Sequence, residues 1–373
     1  MNSKMLHDIT YVLKSDINHV YVTVTLRTIF AAMITVFIPI YMLSLNTPIL
    51  YIPVFYIIKA LVGIVLLFAV WKISIKYGLS TPIIFSSLAY VLFLLSIRMF
   101  PIDLYTITIL AIESELADVF FWIPFHQIFL ATTHRKIREK EIDTINALIS
   151  AAPLISPLIA AFIIVYLGYG TLFAIAGVGI LISIIPMLFI KNLKEPDGYD
   201  YSFKLSKEYF AEGVRVDPLE VYWPLFIFLV LGSVESLGII LIVSSIVGAI
   251  SLVTIGHVDN EKTQGVLLKI GGILHSLTIL VRGFLNNFYH ILGIMVGATI
   301  TNSMLISPYL TRYYNSFEKD ATELGKREVN VRIGRIFSGV LLFFLIYHMP
   351  GILPFIVFMV LISPTSLIMG WKK

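Results

Sequence analysis

The sequence has no cysteine and few charged residues. Without cysteine, the chain can form no disulfide, perform no thiol chemistry and bind no metal through thiolates. Charged residues make up 13% of the chain, whereas soluble domains contain roughly 25%. A soluble fold with so little charge would expose large apolar patches and aggregate. The shortage of charge therefore excludes an ordinary soluble protein.

The sequence also lacks the motifs of several enzyme and binding classes. It contains no strand followed by a glycine-rich loop and lysine to bind nucleotide phosphates, so any energy source must be a gradient or a partner. Its histidines show no metal-ligand spacing, and neither a metal nor a cofactor is expected. The formal net charge of +4 is too small to indicate nucleic-acid binding.

Long apolar runs take the place of the missing charge. Hydrophobic residues make up 58% of the 373 residues, and the mean hydropathy is +0.91. A membrane-spanning helix needs about 20 mainly apolar residues. The runs predict an all-α integral membrane protein with twelve spans, near residues 20–44, 49–71, 80–98, 104–130, 144–167, 171–190, 218–236, 238–256, 264–284, 288–311, 331–348 and 352–370. The seventh and eighth runs are almost continuous and are divided at Ser233–Gly238.

Lysine and arginine fall on every second connection between the predicted spans. Cytoplasmic connections of membrane proteins carry an excess of these residues. The basic connections and the C-terminal segment contain Lys72, Lys76, Arg135, Lys136, Arg138, Lys140, Lys191, Lys194, Lys204, Lys207, Arg215, Lys262, Lys269, Arg312, Lys319, Lys326, Arg327, Arg332, Arg335, Lys372 and Lys373. The opposite connections contain only Arg98 and Arg282. We therefore expect a plasma-membrane protein with both termini in the cytoplasm.

The two halves of the chain carry a similar segment at the same point. The connection after the fourth predicted span reads KEID at residues 140–143, and the one after the tenth reads REVN at residues 327–330. This similarity predicts a six-helix bundle over residues 1–190, a cytoplasmic central loop over 191–217 and a second bundle over 218–373. Transporters built from such repeats bind substrate near the midplane, between the repeats.

Short motifs at the connections resemble the major facilitator superfamily. The second predicted span ends in Lys76-Tyr77-Gly78, at the positions of the Arg and the closing Gly in the family's G-x-L-A-D-R-x-G-R-R loop. Asp259 lies in the equivalent loop of the second half. The resemblance implies a gating role for Lys76, Gly78, Arg138, Asp259, Arg327 and Glu328.

The fifth predicted span also resembles this family. Ser156-Pro157, followed by Ala160-Ala161, stands where family members carry G-P-x-x-G-G, a stretch associated with antiporters and exporters. All the replacements are small residues, so close helix packing is expected. The aromatic–histidine pair that ends in His126 is similar to one in small prokaryotic members. The resemblance implies two pseudo-symmetric six-helix bundles and no enzyme activity.

Ionisable residues inside a predicted span are the strongest functional candidates, because a charge within the bilayer is costly. The fourth span carries three acids, and at about 100° per residue Glu113 lies on the far side from the others. One stripe of this helix contains Glu115, Asp118, Trp122 and His126. The resemblance places the fourth helix beside the central cavity. Two neighbouring carboxylates in a low dielectric raise the pKa of one of them toward a value useful for proton coupling, so the stripe is a candidate proton or substrate site.

The same acids also have a structural interpretation. Glu115 and Asp118 can neutralise Lys59 in the second span or Arg27 in the first, and Glu113 is the more structural of the three acids. Arg27 can attract an anionic substrate, or it can snorkel to the cytoplasmic headgroups, which is the expectation here. Three further charged residues are expected near the outer boundary without a functional role: Arg98, Glu235 and Arg282.

These features predict a secondary active transporter that moves a small solute by alternating access and couples it to protons. Its expected partners are the solute, protons and the lipid bilayer, and the expected state is a monomer. Two other functions remain open. An intramembrane enzyme, such as a prenyl or lipid-head-group transferase, needs carboxylates at helix ends for magnesium and diphosphate, whereas the cytoplasmic acids here are mixed with basic residues. The other is a non-transporting membrane scaffold.

Overall fold

A computed structural model of the protein describes residues 16–132, 145, 148–149, 155–190, 204–256, 261–319 and 322–371, and these residues are mostly helical with no strand among them. The N-terminal half contains α1 (Asp16–Thr35), α2 (Phe37–Ser44), α3 (Tyr51–Tyr77), α4 (Ser80–Met99), α5 (Leu104–Thr132) and α6 (Ser156–Ile182). The C-terminal half contains α7 (Lys207–Asp217), α8 (Trp223–Leu231), α9 (Val234–Gly256), α10 (Glu261–Arg282), α11 (Phe288–Lys319), α12 (Thr322–His348), α13 (Leu353–Ile362) and α14 (Thr365–Gly370). A 3₁₀ turn follows α6 over Ile185–Phe189, and a π turn joins α7 to α8 over Pro218–Tyr222.

Nine helical segments within the described residues are long and apolar enough to cross a membrane. They are Ile17–Ser44, Tyr51–Tyr77, Ser80–Met99, Ser156–Phe189, Val234–Ile255, Lys262–Arg282, Phe288–Tyr313, Thr322–His348 and Leu353–Gly370. The predicted all-helical, multi-pass membrane architecture is therefore confirmed. The segment Ser156–Phe189 turns at Gly168, where φ is 79° and ψ is 166°, so two helices meet there at a single residue. The 29-residue helix α5, with its three acids, is not among the nine segments.

The seventh predicted span begins earlier than hydropathy indicated. Residues 207–217, assigned to the central cytoplasmic loop, form α7, and the π turn and α8 continue the helix to Leu231. The loop assignment up to residue 217 was wrong because the charged residues of α7 interrupt the apolar run that a hydropathy window detects. The next span begins after Gly232, whose φ is 67°. This break lies one residue before the predicted Ser233–Gly238 boundary.

Four arginines assigned to cytoplasmic connections are buried or half-buried inside helices. Arg215 belongs to α7, and Arg327, Arg332 and Arg335 belong to α12. Arg215 and Arg332 are buried, and the side chains of Arg327 and Arg335 are 16% and 15% exposed. Counting these residues as connections was wrong, because their side chains pack against neighbouring helices and do not reach a connection.

The packing of the helices repeats between the two halves. α1 packs on α6 as α7 packs on α12, and α4 packs on α5 as α10 packs on α11. In the same way, α3 packs on α5 as α9 packs on α11. The halves meet where α3 packs on α12 and where α6 packs on α9. This correspondence is typical of a fold built from two similar units.

The small residues at the start of α6 lie at one of these contacts between the halves. The buried residues there are Ser156, Pro157, Ala160 and Ala161. A Cβ atom built on Gly238 of α9 would lie 2.7 Å from the Cβ of Ala161. Only small side chains fit at this crossing, which is how membrane helices approach one another closely.

Glycines bring α7 and α12 equally close. A Cβ built on Gly213 of α7 would lie 2.7 Å from the Cα of Val331. A Cβ built on Gly334 of α12 would lie 2.7 Å from the backbone nitrogen of Val214 and would also meet the carbonyl oxygen of Phe210. The contacts are with backbone atoms, which cannot rotate away as a side chain can. The crossing of these two helices therefore requires glycine on both sides.

Replacing Gly334 by alanine should destabilise the protein. The added methyl group would meet the backbone of α7, and overpacking of this kind costs about 1–3 kcal/mol. The loss should appear as a lower unfolding temperature of the purified protein in detergent. Gly297→Ala in α11 is the matched control, because no atom lies within 4 Å of its built Cβ and alanine favours a helix. Equal unfolding temperatures for the two variants would contradict the close crossing.

Candidate functional site

A cavity of about 720 Å³ lies between the two halves. Residues of α1 to α5 form its N-terminal wall, and residues of α7, α10, α11 and α12 form its C-terminal wall. Small-molecule sites commonly have volumes of roughly 300–1,000 Å³. The cavity is therefore large enough to enclose a small solute in contact with both halves.

The predicted stripe of α5 lies on this cavity. Its wall includes Glu115, Asp118, Trp122 and His126. The rings of Trp122 and His126 are stacked, with their centroids 6.0 Å apart. Glu113 does not line the cavity and accepts a hydrogen bond of 3.0 Å from the hydroxyl of Ser96 in α4. The helical periodicity therefore predicted correctly that Glu113 lies on a different face of α5 from Glu115 and Asp118. The functional roles of the four stripe residues stay predictions.

Asp118 is paired with Lys59, one of the two cations named for it from the sequence. The Nζ atom of Lys59 in α3 lies 2.6 Å from Oδ2 of Asp118 and also donates a hydrogen bond of 3.0 Å to Oγ of Ser114. The side chain of Lys59 is 10% exposed and that of Asp118 is 36% exposed. The pair is therefore held between two helices, and its carboxylate remains accessible from the cavity.

Glu115 pairs with a residue of the other half. Its Oε1 atom lies 3.1 Å from both Nε and Nη2 of Arg332 in α12. The expected pairing of Glu115 with Lys59 or Arg27 was wrong, because Arg332 had been assigned to a connection. The side chains of Glu115 and Arg332 are 0% and 7% exposed. Within the described residues, the second carboxylate oxygen of Glu115 is buried without a hydrogen-bond partner.

Gly63 of α3 leaves the space that this ion pair occupies. A Cβ atom built on Gly63 would overlap Oε1 of Glu115 and Nε of Arg332. Arg332 is also bound on its own helix, where its Nη1 atom lies 2.5 Å from Oε2 of Glu328. The pair between the halves is therefore enclosed by α3, α5 and α12.

Further ion pairs join α7 to α12 along the C-terminal wall. Arg335 Nε lies 3.0 Å and 3.1 Å from the two carboxylate oxygens of Asp217, and Arg327 binds Glu212. Arg327 and Glu328 were predicted in a gating loop. That placement was wrong, because α12 begins nine residues before the predicted span and holds both residues on the cavity wall.

Arg27 lies inside the N-terminal half and does not line the cavity. It is 3% exposed, and it donates hydrogen bonds of 3.1 Å to Oγ of Ser87 and 2.8 Å to the carbonyl oxygen of Ala117. Its guanidinium carbon lies 4.1 Å from the ring centroid of Phe121. The predicted snorkelling was wrong, because acceptors on α4 and α5 satisfy the guanidinium group within the helices.

Five basic residues of the cavity were not among the candidates from the sequence. Two of them, Arg332 and Arg335, form the ion pairs described above, and the other three are Arg215, His275 and Arg282, which are 5%, 1% and 5% exposed. Arg282 was expected at the outer boundary without a role, and that was wrong, because it lies 5.2 Å from the ring of Trp223 and lines the cavity. Arg98 and Glu235 are exposed, as expected. Hydropathy does not tell an inward charge at a helix end from an outward one.

The other residues with a predicted gating role lie away from the cavity or outside the described residues. Lys76 is exposed in the last turn of α3, and Gly78 ends that helix with φ of 85°. Arg138 and Asp259 lie outside the described residues. Among the residues that are described, no group of three or more histidine, cysteine, aspartate or glutamate side chains could hold a metal ion.

No protein-family model matches the sequence, and a comparison with curated proteins finds no significant match. The structure is similar to the crystal structure of a mutant of the nucleoside transporter NupG. The TM-score is 0.70 and the sequence identity 11%, over 95% of this chain and 98% of that chain. NupG is a major facilitator superfamily member, so the expected similarity to that fold is confirmed, while the count of twelve spans stays a prediction. At this identity, the similarity shows the fold alone.

Removing one member of the Lys59–Asp118 pair should destabilise the protein more than removing both. Lys59→Gln leaves the carboxylate without its cation, and Asp118→Asn leaves the ammonium group without its counter-charge. Each single substitution should cost about 1–3 kcal/mol, between the values for exposed and fully buried pairs. Thermal unfolding of the two single variants and the double variant measures the coupling. Strictly additive losses would show that the two charges do not interact.

Proposed function

We propose that the protein is a secondary active transporter that moves a small solute across the membrane by alternating access of two six-helix bundles. The supporting observation is a solute-sized cavity between the halves that charged residues of both halves line. Two of these residues, Glu115 and Arg332, form an ion pair that joins the halves. The proposal includes twelve spans. Beyond the nine apolar segments, the turn at Gly168 adds one span, and α5 and the continuous α7–α8 segment add two.

The proposed orientation places both termini and the central connection on the cytoplasmic side of the plasma membrane. Assigning Arg215, Arg327, Arg332 and Arg335 to the cavity wall removes four cytoplasmic charges from the count, and assigning Arg282 to the cavity removes one external charge. Arg98 then remains on the external side. Basic residues remain on the cytoplasmic side at 72–76, 135–140, 191–207 and 262–269. The cytoplasmic side therefore still carries more lysine and arginine than the external side, and this asymmetry orients membrane proteins.

Two contacts between the halves lie at different depths, which suits alternating access. The rings of Tyr56 in α3 and Tyr222 before α8 meet edge to face, with centroids 5.8 Å apart, toward the proposed external end. The Glu115–Arg332 pair joins the halves nearer the midplane. A rocking motion that separates the halves at one end breaks one contact and can keep the other.

Glu115 is the proposed proton site. The sequence contains no ATP-binding motif, so an ion gradient is the expected source of energy. Glu115 lines the cavity and uses one carboxylate oxygen for Arg332. Its protonation would remove the charge that attracts Arg332 and so favour separation of the halves. Asp118 is bound by Lys59, whose Nζ atom also donates to Ser114, and Asp118 is assigned a structural role.

Cysteine labelling should test the orientation without interference, because the chain has no cysteine of its own. Single cysteines at Lys136 and Lys319, in two proposed cytoplasmic connections, should react with an impermeant maleimide only after the cells are permeabilised. Single cysteines at Pro101 and Asn286 should react in intact cells. Reaction of positions 136 and 319 from opposite sides of the membrane would contradict the proposed six-plus-six arrangement.

Glu115→Gln should abolish solute uptake driven by a pH gradient but keep solute exchange at equal pH. In reconstituted vesicles without ATP, the parent protein should take up solute when a pH gradient is imposed. Glutamine cannot take up and release a proton, so gradient-driven uptake should fall to the level of empty vesicles while exchange of solute at equal pH persists.

Glu113→Gln is the matched control for this experiment. It removes an identical carboxylate from the same helix, at a position that does not line the cavity, and its uptake should equal that of the parent. Parent-like gradient-driven uptake by Glu115→Gln would refute the assignment of the proton site. Uptake that requires ATP would refute the transporter class itself.

A further inference from the structure

The C-terminal wall of the cavity contains three buried basic side chains close to one another. Arg215 comes from α7, and His275 and Arg282 come from the last two turns of α10. The positive charge of Arg215 acts on Arg282, and both guanidinium groups act on the ring of His275. These three residues are called the cationic patch below.

The other cations of the cavity each have a carboxylate partner. The pairs are Lys59–Asp118, Arg332–Glu115, Arg327–Glu212 and Arg335–Asp217. Within the described residues, Arg215 and Arg282 form no ion pair. The patch is therefore the part of the cavity wall where positive charge is not matched by a bound acid.

The contacts of the two arginines are with neutral groups. Arg215 donates from Nη2 to Oδ1 of Asn302 at 2.5 Å and from Nη1 to the sulfur of Met369 at 3.3 Å. The guanidinium carbon of Arg282 lies 5.2 Å from the ring centroid of Trp223. The buried Nε of Arg282 has no hydrogen-bond partner in the described part of the chain. Neutral acceptors and an aromatic ring orient these side chains but do not cancel their charge.

His275 lies beside the two arginines, and the tautomer of its ring decides which ring nitrogen donates a hydrogen bond. Its Nδ1 atom lies 3.2 Å from Oγ1 of Thr301, which fixes the orientation of the ring. Its buried Nε2 atom has no partner among the described residues. The carboxylates of Glu212 and Glu220 also line the cavity and attract Arg215, but Glu212 is bound by Arg327, and Glu220 interacts more strongly with Asp217 and Arg335. Within the part of the chain that the structure describes, Arg282 forms no ion pair with an acid.

Buried charge without a partner is strongly unfavourable, and two like charges near one another add repulsion. An anion bound in the cavity would neutralise the unpaired charge and reduce the repulsion between the two arginines. A guanidinium group presents a planar fork of N–H donors that matches the oxygens of carboxylates and phosphates. We propose that the cationic patch binds the carboxylate or phosphate group of the transported solute, which is therefore a small organic anion. This assignment of the solute class rests on the proposed transport function.

The opposite wall indicates the nature of the rest of the solute. The side chains of Phe55, Tyr56, Phe93 and Trp122 line the N-terminal part of the cavity. Aromatic walls of this kind bind apolar or aromatic groups, while the few polar groups of a site fix the orientation of its ligand. The expected solute thus has an oxyanion group at one end and an apolar or aromatic body.

Thermal unfolding of the purified full-length protein tests this with matched compounds. Benzoate is compared with benzamide, and uridine 5′-monophosphate with uridine, each at millimolar concentration and constant ionic strength. A ligand that binds the folded state raises the unfolding temperature. At least one anion should stabilise the protein, and its uncharged counterpart should have no effect. Failure of both anions, or equal stabilisation by the uncharged compounds, would overturn the assignment.

Variants identify the patch as the site of binding. Arg282→Gln and Arg215→Gln should abolish stabilisation by the anion, and Arg282→Lys should keep part of it. The exposed Arg98→Gln is the matched control and should respond as the parent does. Without ligand, Arg282→Gln should be at least as stable as the parent, because the substitution removes an unmatched charge. Full anion stabilisation of Arg282→Gln would overturn the assignment to the patch.

The same measurements in nanodiscs distinguish a solute from a lipid headgroup as the source of the anion. Stabilisation should be equal in phosphatidylcholine and in membranes that also contain phosphatidylglycerol. Loss of the solute effect in phosphatidylglycerol would assign the patch to lipid phosphate and overturn the solute assignment. Uptake of an uncharged solute that is unaffected by Arg282→Gln would leave the transport function intact and refute the patch. Anion binding to the patch without uptake into vesicles would support the patch and refute the transport function.

Discussion

A charge buried in a low-dielectric interior is costly unless a group in contact with it neutralises it, and this constraint organises the centre of the protein. Lys59 of α3 neutralises Asp118 of α5 within the N-terminal half. Arg332 neutralises Glu115 across the boundary between the halves. The latter pair has two effects, because the attraction that makes burial of the charges possible also holds the two halves together. Any event that changes the charge of Glu115 changes both.

The two walls of the cavity differ in electrostatic character. The N-terminal wall combines aromatic side chains with acids that are largely paired, and the C-terminal wall contains two arginines that bind no acid among the described residues. If Glu115 carries the proton and the cationic patch carries the solute, the two halves divide these tasks. A monovalent anion that moves together with one proton carries no net charge. Such transport would respond to the pH difference and be insensitive to the membrane potential.

The sequence predicts those features that depend on periodicity and hydropathy. The apolar runs identify the membrane helices, and the helical repeat places Glu115 and Asp118 on one face and Glu113 on another. It does not predict α7, whose charged residues resemble a loop in a hydropathy window. It also does not reveal that Arg332 is the partner of Glu115, because that contact joins positions more than two hundred residues apart and depends on how the halves pack. For the same reason, the sequence does not show that Arg282, at the end of α10, lines the cavity.

The turn at Gly168 has a mechanical consequence. The first arm of α6 touches α9 of the other half, where Ala161 approaches Gly238, and the second arm touches α4, where Gly177 lies near Leu94. A single glycine joins the two arms, so their connection is short, and glycine leaves the angle between the arms free to change. The arm that contacts α9 can therefore tilt relative to the arm that contacts α4. Gly168 is thus a position at which α6 can bend as a hinge between the two contacts.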